Sequence, residues 1–202
     1  MYKRQDLYLA RYWSQKLAER CEVLIAPTLT YHFYPAFVEY PGSTSLRLET
    51  ARDMTLDVVR SFARHGARRF YALNTGVSTV RALEPVRAML ASDDILFRYT
   101  DLIATLGPIE NEVSEQEGGS HADEIETSLM LYIAPERVDM SKAVKDLAPD
   151  NGILTRREDG RGTHSPTGIW GDPTLATRAK GERIATAFLD ALVEDIASLR
   201  RA

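Results

Sequence analysis

Apolar residues recur at helical spacing near the amino end, where Leu9, Tyr12, Trp13 and Leu17 share a face and predict a helix over 7–20. The run Cys21-Glu22-Val23-Leu24-Ile25-Ala26, ended by Pro27, predicts a short buried strand. From Thr28 to Ser45 the chain is aromatic and carries Pro35, Pro41 and Gly42, which predicts a shaped loop. The stripe Ala51, Met54, Val58 and Phe62 predicts a helix over 49–65, with Gly66 as its C′ residue. Residues 68–73 are expected as a strand, Asn74-Thr75-Gly76 as a turn, and 95–99 as a third strand. Between them 80–91 is expected as a helix with Pro85 in its first turns. An acidic stretch from Glu110 to Glu126 runs into an apolar helix ending near Ala134. The segment 145–170, rich in Gly, Pro, Asp and Arg, is expected as a long loop. Asp172-Pro173 then predicts the N-cap and first position of a last helix, whose apolar face is Ile184, Phe188, Leu192, Ile196 and Leu199. Helices alternating with short strands imply an α/β domain with a mainly parallel sheet. Sites in such sheets gather at the carboxyl ends of strands, which gives weight to the loops after Ala26 and Leu73.

Composition narrows the function classes. The 202 residues fit one domain, and 44% hydrophobic with 27% charged residues excludes a disordered chain. A net charge of −4 offers no basic field for nucleic acid. The one cysteine, Cys21, excludes a disulfide framework and a Cys-rich zinc site, and is expected as inert packing. No apolar run approaches the ~18 residues of a membrane span, and no apolar stretch follows the first residues, so a cytoplasmic protein without a membrane partner is expected.

The densest chemistry lies in Gly118-Gly119-Ser120-His121-Ala122-Asp123-Glu124-Ile125-Glu126-Thr127-Ser128. Two glycines admit close backbone approach, and an imidazole and three carboxylates follow. A helix beginning near Ser120 or His121 puts His121 and Glu124 on one face, a spacing suited to metal ligation or acid/base work. The same acids also fit the simpler role of complementing the positive end of a helix dipole. His32, in Thr30-Tyr31-His32-Phe33-Tyr34, is a candidate for ligation or proton transfer, or else packs among aromatics. His65 at a helix end is expected to be structural, and His164 lies in the polar loop. No Gly-x-Ser-x-Gly elbow, Walker loop or Gly-x-Gly-x-x-Gly occurs. Carboxylate and imidazole chemistry remains, pointing to metal-assisted or acid/base hydrolysis.

Four segments in order resemble the creatininase (creatinine amidohydrolase) family. They are Tyr40-Pro41-Gly42-Ser43-Thr44-Ser45-Leu46, Ala63-Arg64-His65-Gly66-Ala67-Arg68-Arg69, His121 to Leu131, and Ser165-Pro166-Thr167-Gly168-Ile169-Trp170-Gly171-Asp172-Pro173. The resemblance covers nearly the whole chain. It implies one domain over 1–202 with a three-layer α/β fold and a mainly parallel central sheet. It also implies a two-metal site, zinc or manganese, that hydrolyses a C–N bond of a cyclic amide or related small molecule through metal-activated water, in a homo-oligomer. By resemblance His121 is catalytic, Glu124 a metal ligand, and Glu126 the following glutamate of that motif, expected on the substrate side. Aligning the helix through Leu17-Ala18-Glu19-Arg20 puts Asp6 on the metal-bridging position. Trp170 and Tyr31, with Phe33 and Tyr34, are expected to wall the substrate pocket.

Two departures from the family pattern matter. The E-x-H-G motif of the family does not occur, and its N-G-H-x-x-N is replaced by Asn74-Thr75-Gly76-Val77-Ser78-Thr79, with Gly76 at the histidine. His32 is the nearest candidate to stand in as a ligand. The expectation is a divergent member lacking its N-terminal strand and metal-motif segment, with Met1 to Gln5 resembling translated adapter sequence. The alternatives are a non-catalytic relative that binds a small molecule without metal, and a generic α/β binding domain.

Overall fold

A computed structural model describes residues 5–148 and 153–202. The expectations for residues 1–4, and the part of the long loop at 149–152, fall outside them. Helix α1 (Gln5–Arg20) buries Leu9, Trp13 and Leu17 as predicted. An irregular stretch leads to α2 (Leu48–Ala63), β1 (Arg69–Ala72), α3 (Val80–Ala91) and β2 (Leu96–Tyr99). Helices α4 (Leu102–Val113) and α5 (Glu124–Ile133) follow, then a short strand pair, β3 (Leu154–Thr155) with β4 (Thr163–His164), and the long α6 (Arg178–Arg201). Gly66, just past α2, takes the left-handed φ of +95° that its C′ position requires.

Three layers form around β1 and β2, which pair in parallel from Arg69 opposite Leu96 to Ala72 opposite Tyr99. Successive strand residues point to opposite faces. Tyr71 and Leu73 therefore pack on a core built from α1, α4, α5 and α6, with Trp13, Leu129, Met130, Ile184, Phe188 and Leu192 at its centre. Phe70 and Ala72 pack on the opposite core, where Leu56 and Val59 of α2 meet Val86 and Leu90 of α3. Trp13 is fully buried, its ring 4.2 Å from that of Phe188, and its indole N–H donates to the Ala185 carbonyl at 3.4 Å.

Several expectations need correction. Cys21 to Ala26 form no strand; the segment is irregular, with Leu24 85% exposed. The buried face of α2 is Ala51, Thr55, Leu56, Val59 and Ala63, whereas Val58 and Phe62 of the predicted stripe line an open cleft. Helix α4 has no counterpart among the predicted elements. Gly107-Pro108 reads as a breaker, yet the helix runs through it, capped by the Asp101 carboxylate accepting from Ala104 N at 3.2 Å. Helix α5 starts later than His121, because Gly119 and Ala122 take left-handed φ of +106° and +49° and hold the chain out of helix until Asp123 caps it. Asp172-Pro173 opens only a single turn at Pro173–Leu175; α6 begins after Thr177, whose hydroxyl accepts from Lys180 N at 3.2 Å. The parallel pairing agrees with an α/β fold, but among the described residues each sheet has two strands, and the expected mainly parallel central sheet is not seen among them.

Candidate functional site

The site lies where β1 ends. Asn74 closes the turn that follows: its side chain donates to the carbonyls of Gly76 (2.9 Å) and Thr100 (3.1 Å) and accepts from Gly76 N at 3.2 Å. Thr75 donates its hydroxyl to the Asp6 carbonyl at 3.3 Å, which fixes the amino end of α1 against this turn. A β-carbon on Gly76 would stand 2.6 Å from Cε1 of Tyr34, so the tyrosine ring occupies the space of any side chain at position 76. Burial, reinforced by the nearby Asp6 carboxylate, pushes the Tyr34 phenol above its ordinary value.

His121 is held by its backbone. It exchanges two hydrogen bonds with Trp170, donating to the Trp170 carbonyl at 3.1 Å and accepting from Trp170 N at 2.8 Å. Its ring stacks on Phe37 at 3.9 Å with 27° between planes, and Nδ1 lies 3.4 Å from Oε2 of Glu126. Burial pushes the imidazole down to about 4, so it is neutral at pH 7. Glu126 accepts from Ala122 N at 2.6 Å, and burial with the neighbouring Asp123 and Asp6 charges raises it well above the usual carboxylate range. Burial likewise raises Asp6 to about 7. His121, Glu126 and Asp6 thus lie near the amino ends of α1 and α5, with both carboxyls raised by burial.

The other predicted residues go elsewhere. Glu124, expected as a metal ligand, is fully buried with both oxygens engaged. Oε2 accepts from Glu115 N at 2.8 Å, Gln116 N at 2.9 Å and the Ser114 hydroxyl at 3.2 Å, while Oε1 pairs with Lys180 Nζ. Burial alone would raise this carboxyl; the Lys180 ion pair and the two amides outweigh it and hold it below its ordinary value. His32, the expected stand-in ligand, meets the Thr55 hydroxyl at 3.2 Å, and its buried Nδ1 has no partner among the described residues. Trp170 pairs its backbone with that of His121, and its indole N–H donates to the Ala148 carbonyl at 3.1 Å. Tyr31 is 60% exposed on the rim of the cleft that runs from Asp6 to Arg200.

Phe37, Gln116 and Lys180 were absent from the expected set. Lys180 carried a signal, since a cation in the first turn of α6 opposes the helix dipole and implies a specific anionic partner. Gln116 carried none, though it ties three segments together: it donates to Asp123 at 2.7 Å and accepts from Glu124 N at 3.1 Å and Asp172 N at 3.0 Å.

Comparison with known proteins agrees with this architecture. Residues 4–196 match the creatininase family, described as creatinine amidohydrolase. Creatinine amidohydrolase of Pseudomonas putida is 28% identical over 214 aligned positions, covering 95% of this chain and 80% of that protein. Mycofactocin precursor peptide peptidase of Mycolicibacterium smegmatis is 28% identical over 177, and that of Mycobacterium ulcerans 29% over 176, covering 87% and 86% of this chain. The chain spans about two thirds of the length of these mycobacterial relatives (67% and 66%). A solved creatininase superposes with a TM-score of 0.79 at 23% identity, covering 96% of this chain and 82% of the other. Solved relatives include a manganese form, a zinc–zinc form and a creatine complex. With nearly its full length matched and its layers superposed on solved members, the chain belongs to the creatininase family.

Proposed function

We propose that this protein is a hydrolase that cleaves an amide-type C–N bond in a small molecule, with His121 as the group that moves the proton. The observation that carries this reading is the His121–Glu126 contact at 3.4 Å, beside Asp6. A neutral imidazole with Nδ1 turned to a carboxyl presents Nε2 to a substrate, where it can take a proton from attacking water and deliver it to the departing nitrogen. Phe37 and the Trp170 backbone fix the ring plane, so the transfer needs no reorientation of His121. Relatives named for creatinine and for a precursor peptide support C–N cleavage as the shared chemistry and leave cyclic amide and peptide substrates both open.

A divalent metal belongs to the family, as the manganese and zinc forms of solved members attest. The described residues do not fit a two-metal centre: no three side chains of His, Cys, Asp or Glu among them converge as a ligand set. Glu124 is taken by Lys180, and Tyr34 fills the space over Gly76. The displacement of any side chain from position 76 favours a second reading, a relative that binds a small molecule without hydrolysing it.

One experiment separates the two. Amine release from creatinine, simple cyclic amides and short peptides is measured with and without added zinc or manganese, together with the thermal shift each compound causes. The hydrolase reading expects release that falls at least ~100-fold in His121→Ala, the scale of a lost general acid–base. Thermal shifts without release, unchanged by either metal, establish the binding reading.

A further inference from the structure

Two parts of the chain hold His121, and they also hold each other. Phe37 stacks on the imidazole from the single turn at Pro35–Phe37, and Trp170 bridges to the His121 backbone. The Phe37 turn belongs to a compact loop. Leu46 N donates to the His32 carbonyl at 2.9 Å and Tyr34 N to the Ser45 hydroxyl at 2.9 Å, which closes that loop at its base. This closure and the Tyr34 ring over Gly76 anchor the near arm. Ring pairs accept offset, tilted and edge-on arrangements, so the stack alone does not place the turn on the imidazole.

Tyr40 places it. Its N–H donates to the Phe37 carbonyl at 3.0 Å, which joins the two residues in one tight turn. Its hydroxyl donates to the Ser165 carbonyl at 2.7 Å. Its ring lies against Gly168, where a β-carbon would stand 3.0 Å from Cδ1 and Cε1 at a left-handed φ of +82°. The surface that Tyr40 meets is itself tied down. Ser165 Oγ accepts from Gly168 N at 2.9 Å and lies 2.7 Å from the Ile169 carbonyl and 2.8 Å from Asp146 Oδ2. The Thr167 hydroxyl donates to the same Asp146 oxygen and accepts from Ile169 N at 3.1 Å. Asp146 and Gly171 exchange backbone bonds at 3.0 and 2.9 Å. These ties surround Trp170, whose N–H donates to His121 and whose carbonyl accepts from it. Glu39 also joins the two segments, accepting from the Thr155 hydroxyl at 2.9 Å and from Arg156 N at 3.1 Å, but at an exposed position where water competes. Tyr40 is the half-buried tie.

We propose that Tyr40 is a positioning residue for His121: its bond to Ser165 fixes the Phe37 turn on the Trp170 segment, so that ring stack and backbone bridge grip the imidazole as one unit. His121, Phe37, Tyr40, Ser165 and Trp170 form a closed circuit. Opening it at the Tyr40 hydroxyl leaves each segment folded and lets Phe37 slide over the imidazole. The catalytic consequence rests on the reading of His121 as the group that moves the proton, because transfer is sensitive to where the donor stands.

A variant cycle in the 202-residue chain tests this with two readouts. Tyr40→Phe keeps the ring on Gly168 and removes the hydroxyl; Phe37→Leu removes the stack. The first readout is the NMR shift of the His121 ring protons, which carry the ring current of Phe37 and need no substrate. Tyr40→Phe should lose most of the shift that Phe37→Leu removes, and should change nothing further in the Phe37→Leu background. The second is amine release from creatinine and from a short peptide. Tyr40→Phe should lower kcat about 10-fold with KM nearly unchanged, part of the ~100-fold that a ~1 Å misplacement can cost. The double variant should be no slower than Phe37→Leu alone. Gly168→Ala, whose methyl group would lift the Tyr40 ring, should move the His121 protons in the same direction. A lower melting temperature with the His121 shifts unmoved makes Tyr40 merely structural and overturns the proposal, as do losses in kcat that add in the double variant. A parent chain that releases no amine refutes the hydrolase reading instead, and the ring shifts then decide the positioning role by themselves.

Discussion

At position 76 and position 34 two residues share one volume. With the tyrosine ring 2.6 Å from where a β-carbon would be, Gly76→Ala should cost about 1–3 kcal/mol from overpacking. Tyr34→Ala in the same chain should return most of that loss, so melting of the two single variants and the double variant would show strong non-additivity. Additive losses would mean that Tyr34 moves aside freely. Lys180 and Glu124 are a second residue-scale dependence. Lys180→Met strands a fully buried carboxylate and should cost ~3 kcal/mol at neutral pH. Glu124 is held below its unfolded value, so the stability that the pair supplies is present above that value and is lost as pH falls through the lower folded one. The gap between the melting curves of Lys180→Met and the parent should therefore close in acid. A constant gap down to pH 3 would assign the loss to packing of the lysine stem.

Among the elements, α5 and α6 approach so closely at Gly181 that a β-carbon there would overlap the Ser128 carbonyl. A backbone oxygen inside a helix cannot step aside as a side chain can. Gly181→Ala is expected to cost about 1–3 kcal/mol and to lower the melting temperature by roughly 2–12 °C, although alanine is the better helix former. An unchanged melting temperature would show that the two helices slide apart without penalty. The elements themselves were largely legible, because α1, α3 and α6 carry their periodicity on one clean face and β1 and β2 are short apolar runs. What periodicity could not supply was position relative to a neighbour. The stripe through Val58 and Phe62 is apolar, yet it faces the cleft, and the run after Cys21 has the composition of a buried strand with no strand beside it. His121, Glu126 and Asp6, singled out along the sequence, do lie near one another in the fold. The role of Glu124 was not legible, since spacing along a supposed helix says nothing of a lysine arriving from 56 residues away.

For the whole molecule the consequence of the exposed apolar stretch after Cys21 is colloidal. Leu24 and Ile25 are 85% and 44% exposed side by side in an irregular segment, an apolar exposure that invites association. Leu24→Lys should leave the melting temperature within about 1 °C, as a substitution at an exposed site, while raising the concentration at which the chain begins to aggregate. Aggregation unaltered by the charge would place the association surface elsewhere. The two tryptophans divide the molecule in another way. Trp13 is sealed against Phe188, and Trp170 stands at the site with its backbone bonded to His121. Their emission therefore comes from two unlike surroundings, and replacing Trp13 by phenylalanine would leave Trp170 as a single optical reporter, its colour and lifetime following what enters the site and indifferent to the core.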